Sequence, residues 1–208
     1  MLNNYKKDHN GIIFQIEKDK FNYDDEYVES SYSIYKETPL MSHLRLGFLI
    51  GSIAPYKPKK ILDVGYGNGD FIDTASKYID ECYGFDVPPA YPLKNHITQV
   101  DSIYGQSYDV ACFFDSLEHF IDVYEIKKLD TKYILISLPW CHNFDDEWFK
   151  GWKHRKPDEH LWHFDLESIK SFMEEVGYDY ICHSSIEDTI RTPDNNYPNI
   201  LSCVFKKI

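Results

Sequence analysis

The run Asp63-Val64-Gly65-Tyr66-Gly67-Asn68-Gly69-Asp70-Phe71 constrains the chain more than any other. The apolar segment 61–65 enters it, bounded by turn residues as a buried strand is. A helical pattern over 71–79 leaves it. Glycines at alternate positions let the backbone turn tightly and approach a ligand, and the N–H groups of the following helix face that ligand. The dinucleotide pattern G-x-G-x-x-G is not met, because Asp70 stands three places after Gly67. What is present is D-x-G-x-G-x-G. Asp63 suits a ligand carrying an ammonium group better than one carrying a pyrophosphate, and Asp70 would repel a phosphate.

Further apolar runs follow in regular alternation with helical patterns. Strands are expected at 82–86, 96–100, 108–114, 133–139, 178–184 and 200–205. Helices are expected at 39–53, 121–128 and 166–176, with Pro55 and Pro58 ending the first and Gly177 capping the last. Buried strands alternating with helices predict an α/β, doubly wound, mostly parallel sheet covered on both faces. With 208 residues, one domain is the expectation, spanning 39–208 with a Trp/His-rich insertion at 140–164. Residues 1–38 are polar and tyrosine-rich and are read as an N-terminal extension, a candidate lid.

A formal net charge of −12 disfavours nucleic acid as a partner. The longest apolar run, 44–54, is interrupted by Arg45 and too short to cross a bilayer. The first residues, MLNNYKKDHNG, lack the apolar segment of a secretory signal. Cys82, Cys112, Cys141, Cys182 and Cys203 are scattered and odd in number, which predicts reduced core thiols and a cytoplasmic protein.

The second expected strand ends at Asp86, seventeen residues beyond Gly69, where a carboxylate accepts hydrogen bonds from vicinal ribose hydroxyls. Asp101, after the third, is a candidate acceptor for an adenine amino group, or the start of an ordinary Asp-Ser turn. With DVGYGNGDF (63–71), Asp86, DSLEHF (115–120), SLP (137–139) and DEHLWHFDLESIKSFMEEVGY (158–178), the chain resembles the class I S-adenosylmethionine-dependent methyltransferases over roughly residues 40–205. The H-L-x-x-F before the last helix resembles their small-molecule branch. The resemblance implies a Rossmann-like seven-stranded sheet whose last strand is antiparallel. It implies S-adenosyl-L-methionine as cofactor, with Gly65, Gly67 and Gly69 along the methionine part, Asp86 at the ribose and Asp101 at the adenine. Phe114 and Asp115 are implied to sit beside the cofactor. Arg45 is a candidate partner of the cofactor carboxylate, or a snorkelling surface arginine.

DSLEHF stands at the carboxyl end of a central strand, the ligand crevice of an open α/β sheet. His119 is the first candidate general base, alongside a packing role. Glu118 and Asp115 are equally readable as helix caps.

The stretch WKHRKPDEHLWHF (152–164) admits three readings. His160 and His163 are three apart, but no zinc spacing and no cysteine pair accompanies them, so no metal is expected. Lys150, Lys153, Arg155 and Lys156 interleave with Trp148 and Trp152 as in a nucleic-acid groove, yet acidic residues flank them. The favoured reading is a substrate wall. Trp140, Trp152, His154, Arg155 and His163 are expected to contact the acceptor, and His142 and His160 join His119 as catalytic candidates. Glu187 and Arg191 are candidate partners of the basic segment. The expected activity is O- or N-methylation of a small, anionic or sugar-like acceptor. The alternatives are a non-catalytic cofactor-binding or interaction protein and an RNA methyltransferase. Oligomeric state and acceptor are not specified by the residues.

Overall fold

The computed structural model describes residues 3–19, 21, 40–87, 91–142, 144–193 and 196–208. The tyrosines expected in a lid at 23–35 lie outside the described residues. The elements in chain order are β1 (Tyr5–Lys7), β2 (Ile13–Gln15), α1 (Leu40–Ile53), β3 (Lys60–Val64), α2 (Asp70–Ala75), β4 (Glu81–Phe85), β5 (Thr98–Gln99) and β6 (Ser107–Phe114). They continue with β7 (Asp130–Pro139), α3 (Asp146–Gly151), β8 (Trp162–His163), α4 (Leu166–Glu175), β9 (Tyr178–Ser184) and β10 (Ile200–Lys207).

The main sheet has seven strands in the order β5-β4-β3-β6-β7-β10-β9. Strands β3 to β7 pair in parallel, and β10 runs antiparallel to both β7 and β9. Order reverses between β3 and β6, so the crevice at their carboxyl ends is the natural ligand site.

Both faces of the central strands are covered, which is why these strands read as continuous apolar runs. Leu62, Val64, Ala111, Phe113, Ile134 and Ile136 face one core with Ile169, Phe172 and Met173 of α4. Ile61, Val110, Cys112, Phe114 and Leu135 face the other with Leu46, Leu49 and Ile53 of α1 and Phe71 and Ile72 of α2. Helix α4 opens on a capping box in which Asp165 Oδ1 accepts from the Ser168 N–H at 2.7 Å and Ser168 Oγ accepts from the Asp165 N–H at 3.0 Å. The cysteines are free, and all but the half-buried Cys182 are buried.

Two helices differ from expectation. α2 stops at Ala75 instead of 79, because the Ser76 hydroxyl takes the Asp73 carbonyl and the chain proceeds in turns that still bury Ile79. The pattern at 121–128 is a 3-10 helix over Val123–Lys128, preceded by another at Leu117–His119. Its buried side chains, Val123 and Ile126, recur every third residue, the period of a 3-10 turn.

The Trp/His-rich segment carries structure of its own. α3 is capped by Asp145, which accepts from the Trp148 N–H at 2.7 Å. β8 pairs antiparallel with β2, and β2 with β1, so the N-terminal hairpin and this segment form a second, three-stranded sheet. Trp162 Nε1 donates to the Phe120 carbonyl at 2.7 Å, tying β8 to the loop after β6.

Candidate functional site

The glycine turn joins β3 to α2 with Gly65, Gly67 and Gly69 all at positive φ (73°, 58° and 78°). At Gly65 a second constraint acts: an added Cβ would lie 2.7 Å from the Ser116 Cβ, so the loop after β6 packs directly on this turn.

Asp63, in β3 two residues before Gly65, is 1% exposed, and its Oδ1 has no hydrogen-bond partner. Burial pushes its carboxyl up to about 7, with Arg45 pulling it down and Asp86 pushing it further up. A buried, unsatisfied carboxylate oxygen beside a glycine turn is a site for a cationic donor such as an ammonium group. Asp86 follows β4. Its Oδ2 accepts from the Gly67 N–H and its Oδ1 from the Val87 N–H, both at 2.8 Å. Burial raises its pKa against these two bonds. Tyr66 is buried beside Gly84 and donates its hydroxyl to the Tyr91 carbonyl at 2.7 Å. Asp101 is exposed beyond the short β5.

At the end of β6, Phe114 packs edge-on to Phe71 at 4.5 Å, and the Arg45 guanidinium lies 4.3 Å from its ring centre. Asp115 takes a left-handed conformation, φ 50°, which costs a non-glycine residue about 1–3 kcal/mol. Its carboxylate accepts from Arg191 Nη1 at 2.9 and 2.8 Å and from Arg45 Nη2 at 3.3 Å. Burial alone would raise its pKa, but Arg191 and Arg45 hold the carboxyl well below the usual range. Arg45 is itself buried, and Glu187, with 0% exposure, takes its Nε at 2.7 Å and its Nη2 at 2.9 Å. Glu187 and Arg191 therefore pair with Arg45 and Asp115, a network that joins α1, the β6 end and the β9–β10 connection.

Glu118, His119 and His160 come together one turn further on. Their ligand-type atoms lie within 4.8 Å of one another. The cause is tertiary: the Leu161 N–H donates to the Glu118 carbonyl at 2.8 Å, which lays the start of β8 on the 3-10 turn. The two imidazoles meet edge to face at 4.8 Å between centres. Burial pushes the His119 pKa down to about 4 and that of His160 down to about 2. His160 Nδ1 donates to the His154 carbonyl at 2.8 Å, which leaves the Nε2 lone pair free as a ligand atom, 3.8 Å from Glu159 Oε1. Glu118 is 2% exposed, and neither carboxylate oxygen has a hydrogen-bond partner. Burial and the neighbouring Asp115 push its pKa well up.

The remaining aromatic residues of the segment divide into two groups. His163 is buried among Tyr5, Phe149 and Trp152, its Nε2 unpartnered, and burial lowers its pKa to about 3. Arg155 lies over the Tyr5 ring. His142, Trp148, Trp152, Lys153, Tyr197 and Asn199 instead line a cavity of about 360 Å³. In its wall Trp148 stacks on Trp152 at 5.4 Å, and His142 stacks between Trp140 and Phe144. His142 Nε2 donates to the Pro198 carbonyl at 2.8 Å, and His154 Nε2 meets Asn199 Oδ1 at 2.9 Å. The structure thus groups His119 with His160 and sets His142 apart in the aromatic cavity. Glu187, expected to pair with the basic segment at 150–156, pairs with Arg45 and Arg191 instead, and the contact of Ser116 with Gly65 carried no signal in DSLEHF, because these partners are remote in the chain.

The family model described as "Methyltransferase domain" matches residues 42–183, more than half of the chain. No curated protein matches in sequence. Among solved structures, the plantazolicin methyltransferase BamL, in complex with a triazolic desmethylPZN analog and SAH, is 14% identical. It covers 88% of this chain and 90% of its own, with a TM-score of 0.60. Magnesium protoporphyrin IX methyltransferase from Synechocystis, with bound SAH, is 11% identical, with 92% and 90% coverage and a TM-score of 0.58. An S-adenosylmethionine dependent methyltransferase from Mesorhizobium loti is 14% identical, with 83% and 99% coverage and a TM-score of 0.58. The glycine turn with its buried Asp63, the reversal of strand order beside it and the family match agree: the chain belongs to the methyltransferase domain family, with the class I S-adenosylmethionine-dependent fold.

Proposed function

We propose that the chain methylates a small-molecule acceptor at oxygen or nitrogen, in the reducing cytoplasm that its free cysteines suit. The observation that carries the reading is Asp63, a buried carboxylate with an unsatisfied oxygen at the glycine turn. S-adenosyl-L-methionine supplies a methyl group already activated on a sulfonium. Asp63 receives its ammonium group, Gly65, Gly67 and Gly69 line its amino-acid portion, and Asp86 takes the ribose hydroxyls. Asp101 would accept from the adenine amino group, with Phe114 and Asp115 beside the cofactor. Arg45 acts by holding Asp115 in its left-handed turn.

The protein's own contribution is positioning and proton handling. His119 and His160 stand beyond Asp115, and burial holds both imidazoles unprotonated; His119, whose pKa is lowered less, is the better placed to take a proton from an acceptor hydroxyl or amine, with His160 beside it. The aromatic cavity with His142, Trp148 and Trp152 shapes the acceptor site, with Trp140 behind it. His154, Arg155 and His163 support that wall from β8 and the turn before it, and Lys153 brings a positive charge for an anionic acceptor.

Calorimetry with S-adenosylmethionine and its demethylated product tests the reading. Both are expected to bind and to lose affinity in Asp86→Ala; binding of neither at millimolar concentration overturns it. With an acceptor in hand, His119→Ala is expected to lower kcat by about 10²–10⁴-fold. An unchanged kcat would remove His119 as the base.

A further inference from the structure

The cluster after β6 holds more than a base requires. Glu118 contributes two carboxylate oxygens, both buried and both without a hydrogen-bond partner. Its Oε1 stands 3.9 Å from His119 Nε2. From the other side, His160 has its Nδ1–H engaged by the His154 carbonyl, the arrangement that orients a metal-binding imidazole and leaves Nε2 as donor. We propose that Glu118, His119 and His160 form a binding site for one divalent transition-metal ion. The inference rests on the reading of this cluster as the acceptor side of a methyltransferase site only for its role, not for the binding itself.

Donor chemistry restricts the metal. Two imidazoles and one carboxylate suit Mn²⁺, Fe²⁺, Co²⁺ or Zn²⁺ better than Mg²⁺ or Ca²⁺, which prefer oxygen. Bonds of about 2.0–2.2 Å would bring the donor atoms to about 3–3.5 Å from each other. The observed 4.8 Å envelope closes to that by side-chain rotations of about an ångström. Three protein donors leave coordination positions open for water or for an acceptor oxygen.

Charge points the same way. Around the cluster Arg45, Arg191 and Lys156 balance Asp115, Glu187 and Glu159. Ionised Glu118 adds one further negative charge in a buried place, and it has no cationic partner among the described ion pairs apart from a protonated His119.

If the ion is bound, it would lower the pKa of an acceptor hydroxyl on it so that the proton passes to solvent water, and the imidazoles would serve as ligands instead of bases. The two modes separate on metal dependence alone.

The test uses the full chain, stripped with a chelator and dialysed. Titration with MnCl₂ and ZnSO₄ by calorimetry, with metal content by mass spectrometry, is expected to show one equivalent bound. Glu118→Gln, which removes a buried ionisable group and so spares the fold, is expected to weaken binding about tenfold or more; His160→Ala does the same from the segment before β8. No binding at millimolar metal overturns the proposal. So does binding that Glu118→Gln leaves unchanged, which would mark adventitious ions on an acidic surface. S-adenosylmethionine affinity, measured in the same samples, reports separately on the methyltransferase reading: metal binding without cofactor binding sinks that reading and leaves the site standing.

Discussion

Arg45 of α1 and Glu187 of the β9–β10 connection, 142 residues apart, form a two-point ion pair at 2.7 and 2.9 Å with Glu187 fully buried. The pair also carries Asp115, because the same guanidinium reaches Asp115 Oδ2. A buried pair is weak evidence for stability as a whole, yet removing one partner strands the other charge. Glu187→Gln is therefore expected to destabilise the fold by about 3–5 kcal/mol in urea denaturation, whereas Arg45→Met with Glu187→Leu recovers most of that loss. A Glu187→Gln variant as stable as the parent would show that Arg45 is balanced from elsewhere.

Asp63 predicts a pH dependence. Its folded-state pKa, about 7, lies above that of the unfolded chain, so the folded state keeps a proton that the unfolded state has lost. Its contribution is thus complete below the unfolded carboxylate value and is lost as pH rises to about 7, by roughly 4 kcal/mol in all. The buried histidines act with the opposite sign over part of this range, so the readout is the difference between variant and parent. Asp63→Asn is expected to gain stability relative to the parent from pH 5 to pH 8, while losing S-adenosylmethionine affinity. A parallel pair of stability profiles would refute the assignment.

Gly65 and Ser116 couple the glycine turn to the loop after β6. Gly65→Ala would place a methyl 2.7 Å from the Ser116 Cβ, which is anchored to the backbone and cannot swing aside. We expect a loss of about 1–3 kcal/mol, partly restored by adding Ser116→Gly. The remainder is the penalty for alanine at φ 73°. Thermal unfolding of the single and double variants measures both parts; additive losses would rule out the contact.

Trp148 stacks on Trp152 at the aromatic cavity but touches neither the glycine turn nor the Glu118 cluster in any described ring contact. Trp148→Ala is expected to raise the acceptor KM about tenfold and to leave cofactor affinity unchanged. Equal changes in both would place the cavity next to the cofactor instead.

Much of the architecture was legible because its signals are local. A strand buried on both faces must be apolar throughout, so each central strand was found within a few residues of its bounds. D-x-G-x-G-x-G marked the turn, since only glycine accepts its dihedrals without strain. Asp115 carried no such mark: an aspartate at φ 50° is held there by two arginines that lie 70 and 76 residues away. The 3-10 form of 123–128 was likewise hidden, because a short apolar pattern fits either period.

The chain's own sequence determined the sheet, the glycine turn and the donor-binding family, all written in segments of about ten residues. Tertiary structure alone decided which residues share a site. His160 and His163 looked paired in the sequence, but they join different clusters: His163, in β8, meets Tyr5 and Phe149, and His160, two residues before β8, meets His119 and Glu118. The hydrogen bond from the Leu161 N–H to the Glu118 carbonyl holds the segment before β8 against the β6 loop. That placement depends on the N-terminal hairpin pairing with β8, a contact between distant segments that no local pattern encodes.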